Sequence, residues 1–343
     1  MSSSTGPAPG LPVRMPRPRQ SGRHRRPEPV AAPEGAPALV LAVPGAPTPL
    51  VRGLAEEIIS IARSELPGLD VGIGYLDGDA PRPPEPVADY APEAAGGAGD
   101  GGGGEDIPAG PVDAAEGAGG PSLESVLARI AALRTERYEF ARAAGREVAE
   151  PEGPVAVVVP LLAGPDAVLM DRIHRAVAES SAQVEVADVL GPHPLLAEAV
   201  HVRLSEAGLA RADRARLFTV ATAADGIVLA TVGGDEAVRA AGITGMLLAA
   251  RLAVPVMAAA LDQEGSVAAI AEQLRGSGST QLALAPYLIG PELPEGLLDA
   301  AVKESGAPAA DVLGAYPAIG KLVLSQYTTT LGITPQPQGA PVR

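Results

Sequence analysis

Short apolar runs recur along this chain, separated by longer stretches in which apolar residues return every three or four positions. Ala156-Val-Val-Val and Leu282-Ala-Leu-Ala carry no polar residue, the pattern of strands covered on both faces in a parallel sheet. The stretches between such runs read as amphipathic helices. The pattern predicts strands near 38–43, 69–76, 154–161 and 183–190, with helices near 50–65, 122–145, 166–180 and 194–207. The alternation then repeats, with strands near 226–232, 254–260, 281–287 and 309–313 and helices near 236–252, 265–276, 293–305 and 316–331.

The two halves share more than a rhythm. Asp188-Val-Leu-Gly-Pro-His-Pro is answered 123 residues later by Asp311-Val-Leu-Gly-Ala-Tyr-Pro. Pro160-Leu-Leu-Ala-Gly-Pro-Asp is answered 126 residues later by Pro286-Tyr-Leu-Ile-Gly-Pro-Glu, and Leu39-Val-Leu-Ala, 188 residues later, by Ile227-Val-Leu-Ala. The larger first offset marks an insertion in the first half, followed by a longer helix. The expected fold is therefore α/β: two similar lobes from an internal duplication, each a four-stranded parallel sheet flanked by helices, over 38–209 and 210–333. Ligands of such sheets bind beyond the carboxyl ends of the strands, so the inter-lobe cleft is the place to look for function.

Composition adjusts this picture at the edges. Residues 1–37 are rich in Pro, Arg and Ser, with six Arg against Glu28 and Glu34. Residues 79–121 are rich in Gly, Pro and Ala, with nine acids against Arg82. Neither stretch holds enough apolar residues to offset the entropy of ordering, and both are expected to be disordered, as is the tail 334–343. The basic tail and the acidic insertion are the expected contacts for a protein partner. A net charge of −15 argues against a nucleic-acid surface. There is no cysteine, hence no disulfide, thiolate metal site or cysteine nucleophile. The N-terminus lacks an apolar signal region, and the longest apolar run, Met246 to Leu261, is broken by Arg251 and Pro255. A cytoplasmic protein with no membrane span is expected.

Few residues offer chemistry. No phosphate-binding loop, nucleophile elbow, His-Glu-x-x-His or Cys-x-x-Cys motif is present. His24 falls in the basic tail, and His174 and His201 fall on helices. His193 stands in a strand-to-helix turn just before Pro194. It either faces the cleft as a substrate contact beside the helix's positive end or bonds its local backbone. Gly233 and Gly234 precede a helix, where backbone amides could hold an anion such as a carboxylate. Asp166 and Glu292, after Gly-Pro in the two halves, read as caps of the helices that follow.

Three motifs in this order carry a resemblance: Gly74-Tyr-Leu-Asp-Gly-Asp-Ala-Pro after the second strand, the Pro-Leu-Leu strand end, and Leu190-Gly-Pro-His-Pro before a last helix. Over residues 38–331, apart from the insertion, the chain resembles the sirohydrochlorin chelatase, or CbiX-like, group of class II chelatases. The resemblance implies a protein of tetrapyrrole metabolism (siroheme or cobalamin) that inserts or binds Fe²⁺ or Co²⁺ in a tetrapyrrole ligand within the inter-lobe cleft. No organic cofactor is implied, and the divalent metal is a substrate. Histidines are implied at two strand ends, since neutral imidazole both ligates a divalent ion and accepts a pyrrole proton. This chain has Pro44 at the first position and Gly164-Pro-Asp at the second. A third position, a glutamate after the second strand, corresponds to Asp77, which is either a metal ligand or a turn former at the start of the insertion. The second lobe offers Asp262 at the equivalent point. Arg52, Arg172 and Arg239, near the helix starts, suit a substrate with many carboxylates and equally suit surface salt partners. Loss of both histidines supports the alternative of an inactive chelatase-like scaffold serving as a binding or regulatory module.

Overall fold

A computed structural model describes residues 31–33, 35–79, 120–146, 153–210 and 223–333. Most of the three segments expected to be disordered lies outside these residues. Their margins are fastened to the body: Ala32 donates its N–H to Pro67 O at 2.9 Å, and Asp79 donates to Gly120 O at 2.9 Å. The two ends of the insertion thus leave the first lobe side by side.

The first half runs β1 (Ala38–Val43), α1 (Pro49–Glu65), β2 (Val71–Tyr75), α2 (Leu123–Ala143), β3 (Ala156–Pro160), α3 (Ala167–Glu179), β4 (Val184–Val186) and α4 (Pro194–Glu206). The second runs β5 (Gly226–Thr231), α5 (Gly234–Leu252), β6 (Val256–Ala260), α6 (Ser266–Gly276), β7 (Leu282–Pro286), α7 (Leu297–Ser305) and α8 (Pro317–Thr330). The sheets have strand orders β2-β1-β3-β4 and β6-β5-β7. Every pairing is parallel, as the strand-helix alternation requires. The four-stranded, two-lobed expectation differs in one element. The stretch expected as a strand over 309–313 makes a single bridge, Leu284 to Ala309, because Gly306 and Pro308 bring it to the sheet late and it bends away at Gly314.

Side chains of each central strand alternate between two cores. Leu39, Leu41, Val157 and Val159 point one way, and Val40 and Val158 the other, toward Leu123 and Leu127 of α2 and Ile173 of α3. In the second sheet, Val228 and Leu284 face Val267 and Leu274 of α6. The remaining face, with Ile227, Leu229, Ala283 and Ala285, joins the same core as Leu39 and Val157. One apolar core therefore spans both lobes, filled by α1, α4, α5 and α8.

The last helix of each half packs on the other half. α8 lies on α1 and β3, and α4 lies on α5 and β7. The close approach of α8 to α1 depends on Gly320, where an added Cβ would stand 2.6 Å from Ile61 Cβ and 3.0 Å from Ile58 O.

Candidate functional site

The loops past the carboxyl ends of the strands are the candidate site, and they meet across the lobes in a reciprocal way. The turn after β1 contains Gly45, where an added Cβ would lie 3.5 Å from Pro291 O after β7. The equivalent turn after β5 contains Gly233, where it would lie 2.6 Å from Pro165 O after β3. Each first-strand turn abuts the third-strand turn of the other lobe. Gly233 also has φ 102°, so both its backbone and its surroundings require glycine.

Asp77 sits at the rim of this junction. Its N–H donates to Gly45 O at 3.2 Å. Its carboxylate accepts from the Arg172 guanidinium, which also donates to Leu76 O at 3.2 Å. Arg172, on α3, thus ties the end of β2 to the helix after β3. Asp77 keeps about half its side-chain surface exposed, 49%. Buried Tyr75 precedes it, its phenol pKa raised by burial and by Glu56, with Arg52 opposing.

His193 is the N-cap of α4. Its Nδ1 accepts from Leu195 N at 3.1 Å, and Pro194 begins the helix. Of the two readings of this residue, the local backbone bond accounts for the ring nitrogen Nδ1. Burial pushes its pKa below the ordinary value.

Gly233 and Gly234 do open α5, but the site is already supplied with negative charge. Gly233 N donates to the Asp262 carboxylate at 3.0 Å, and Asp235 and Glu236 occupy the first turn. Three carboxylates at the positive end of one helix satisfy its dipole internally, and a ligand carboxylate arriving there meets repulsion.

Asp166 and Glu292 occupy equivalent places in the duplicated turn and do different things. Asp166 caps α3 as expected, accepting from Leu169 N at 2.9 Å. Glu292 caps nothing, because Pro294 and Gly296 delay α7 until Leu297. Its carboxylate turns inward, 7% exposed for the residue as a whole. One oxygen accepts from Ile289 N at 2.6 Å and the other from Gly290 N at 2.9 Å, both in its own turn. Desolvation dominates and raises its pKa despite these donors. Tyr287, also buried at this junction, accepts from Thr244 Oγ1 at 3.1 Å, and burial pushes its pKa up to about 12.

Neither Glu292 nor Tyr287 was singled out by sequence as a junction residue. Among the described residues, no group of three or more His, Cys, Asp or Glu is placed to hold a metal ion. None of their helices is long and apolar enough to cross a membrane.

The site and sheets define a two-lobed α/β protein with parallel sheets whose strand ends face one another. No protein-family model matches the chain, and no curated protein matches it. Solved structures similar to it include the sirohydrochlorin chelatase of Bacillus subtilis subspecies spizizenii in complex with cobalt. It is 13% identical with a TM-score of 0.47, over 86% of this chain and 95% of that one. A multi-domain protein from Deinococcus radiodurans, described as structurally similar to chelatases with two additional novel domains, is 16% identical with a TM-score of 0.47. That match covers 85% of this chain and 54% of the other.

Proposed function

We propose that this chain is a sirohydrochlorin chelatase-like (CbiX-like) protein of siroheme or cobalamin metabolism. In this reading it binds a tetrapyrrole at the facing strand ends and acts as a binding or regulatory module that does not insert the metal itself. One observation carries the reading. At the inter-lobe contact, where the resemblance expects two imidazoles, stand Pro44 and the Gly164-Pro165-Asp166 turn, and Asp166 is engaged as a helix cap. Proline neither ligates nor titrates, and a capping carboxylate is held away from the role of base. In the same reading the acidic stretch 79–121 and the basic stretch 1–37 recruit a protein partner in the cytoplasm, their opposite charges suiting opposite surfaces.

A second reading keeps catalysis, and Asp77 favours it. Asp77 is half-exposed at the cleft rim and paired to a guanidinium, a contact of a kind worth about 0–1 kcal/mol at a surface. A carboxylate of the substrate that takes Arg172 would free Asp77 for a divalent ion or a pyrrole proton. The test of binding is titration of the full chain with metal-free sirohydrochlorin, followed by absorbance. A saturable spectral shift is expected, and a spectrum unchanged by the protein overturns tetrapyrrole binding in either reading.

A further inference from the structure

α5 carries an apolar stripe on its outer face. Ile243 is 47% exposed, Met246 66% and Leu247 42%, and exposed Ala250 continues the line. Their spacing puts all four on one side of the helix, opposite buried Ala241, Thr244, Gly245 and Leu248. Arg239 is the sole charge between Ala237 and Ala250. The duplication shows that the fold does not require this stripe. The buried positions of α1, namely Ala55, Ile58, Ile59 and Ala62, match those of α5 one by one, 186 residues apart. At the same offset Ile243, Met246 and Ala250 fall on Glu57, Ser60 and Ser64, all exposed and polar. Leu247 falls on Ile61, which packs against Gly320 of α8. Single exposed apolar residues are ordinary, whereas a contiguous patch marks an interaction site.

We propose that this face of α5 docks a second copy of the chain, helix on helix and antiparallel about a two-fold axis beside Met246 and Leu247. The inference goes beyond the tetrapyrrole reading and does not depend on what the cleft binds. A two-fold contact asks a patch to complement itself, and an apolar stripe does so. The axis also sets Arg239 of each copy, seven residues before Met246, over the C-terminal end of the other copy's α5, where the helix dipole is negative. Arg251, the basic residue of that last turn, is engaged on His201 Nδ1 of α4 at 2.7 Å. Copies of a chain with net charge −15 repel one another over most approaches, and the stripe from Arg239 to Ala250 holds no acid. Area sets the strength. A helix of 19 residues offers a face of about 28 Å by 10 Å, roughly 300 Å² for each copy, against about 800 Å² in a stable interface. The dimer is therefore weak and forms at micromolar concentrations and above.

The test uses the full chain and its lack of cysteine. Sedimentation velocity of the wild type over about 1–200 µM should show a concentration-dependent passage from monomer to dimer. The double variant Ile243→Glu, Met246→Ser, which takes the residues found at the same positions of α1, should associate at least about tenfold more weakly. Arg239→Glu should weaken association in the same direction. Met246→Cys supplies the chain's one thiol close to the axis and should form a disulfide-linked dimer about tenfold faster than Leu50→Cys, which is 83% exposed on the other lobe. This cysteine pair decides the matter should the double variant fail to fold. A wild type that stays monomeric to about 200 µM, a dimer that persists in the folded double variant, or equal cross-linking of the two cysteine variants would overturn the proposal.

Discussion

Arg203 and Gln326 stand at equivalent positions of the two last helices, and each donates into the Asp-Val-Leu-Gly turn of the other lobe. Arg203 gives Nε and Nη2 to Leu313 O at 3.1 and 2.7 Å, and Gln326 gives Nε2 to Val189 O at 3.0 Å. Their separation of 123 residues is that of the repeated turns themselves. The duplication thus produced a reciprocal exchange, in which neither sheet is covered by its own final helix.

Unfolding should accordingly be a single transition for the whole body. Arg203→Ala should cost about 1.5–3 kcal/mol, as for hydrogen bonds from a charged donor, and Gln326→Ala about 1 kcal/mol. Denaturant unfolding followed by circular dichroism measures both. A fragment 31–210 that unfolds cooperatively by itself would contradict the exchange.

Gly320→Ala places a methyl where Ile61 and the Ile58 carbonyl already stand. Overpacking of this kind costs about 1–3 kcal/mol. A melting temperature equal to wild type would show that α8 does not need this approach to α1.

His193 should behave as a cap. His193→Ala should lose about 0.5–2 kcal/mol, and His193→Asn, which can accept from the same amide, should recover most of it. Its pKa lies below the ordinary 6.5, so the stability it contributes is present above that pH and is lost as pH falls through its depressed value. Protonation also removes the Nδ1 acceptor. A stability difference between wild type and His193→Asn that does not grow on acidification from pH 7 to 5 would oppose this.

Glu292 titrates with the opposite sign from an ordinary paired carboxylate. Its pKa is raised above 4.5 by burial, with backbone amides of Ile289, Gly290, Ala163 and its own residue opposing. Stability from this group is therefore fully present below about pH 4.5 and is lost as pH rises through the raised value. Tyr287, at the same strand end and pushed to about 12, stays protonated throughout. Wild type should lose stability relative to Glu292→Gln as pH rises from 4 to 7, measured by urea unfolding at each pH. A constant difference would mean that Glu292 does not titrate in this range.

Much of the fold was legible because buried parallel strands leave unbroken apolar runs and because the copies corroborate each other. β4 and the stretch over 309–313 were read too long, since Asp188 and Asp311 with the turns after them pull both away from the sheets. The helix exchange left no mark in the pattern: an amphipathic helix records that one face is covered, not which sheet covers it. Glu292 was misread for a related reason. Its motif matches that of Asp166, and only the later Pro294 and Gly296, which delay α7, separate a buried carboxylate from a cap.

The central claim is tested most directly by mixing the full chain with sirohydrochlorin and Co²⁺ or Fe²⁺ and comparing the rate of the absorbance change with that of the spontaneous reaction. The account expects the tetrapyrrole to bind and the insertion rate to equal the spontaneous one. A rate above the spontaneous reaction that falls away in Asp77→Ala would contradict it and establish Asp77 as the centre of an active chelatase.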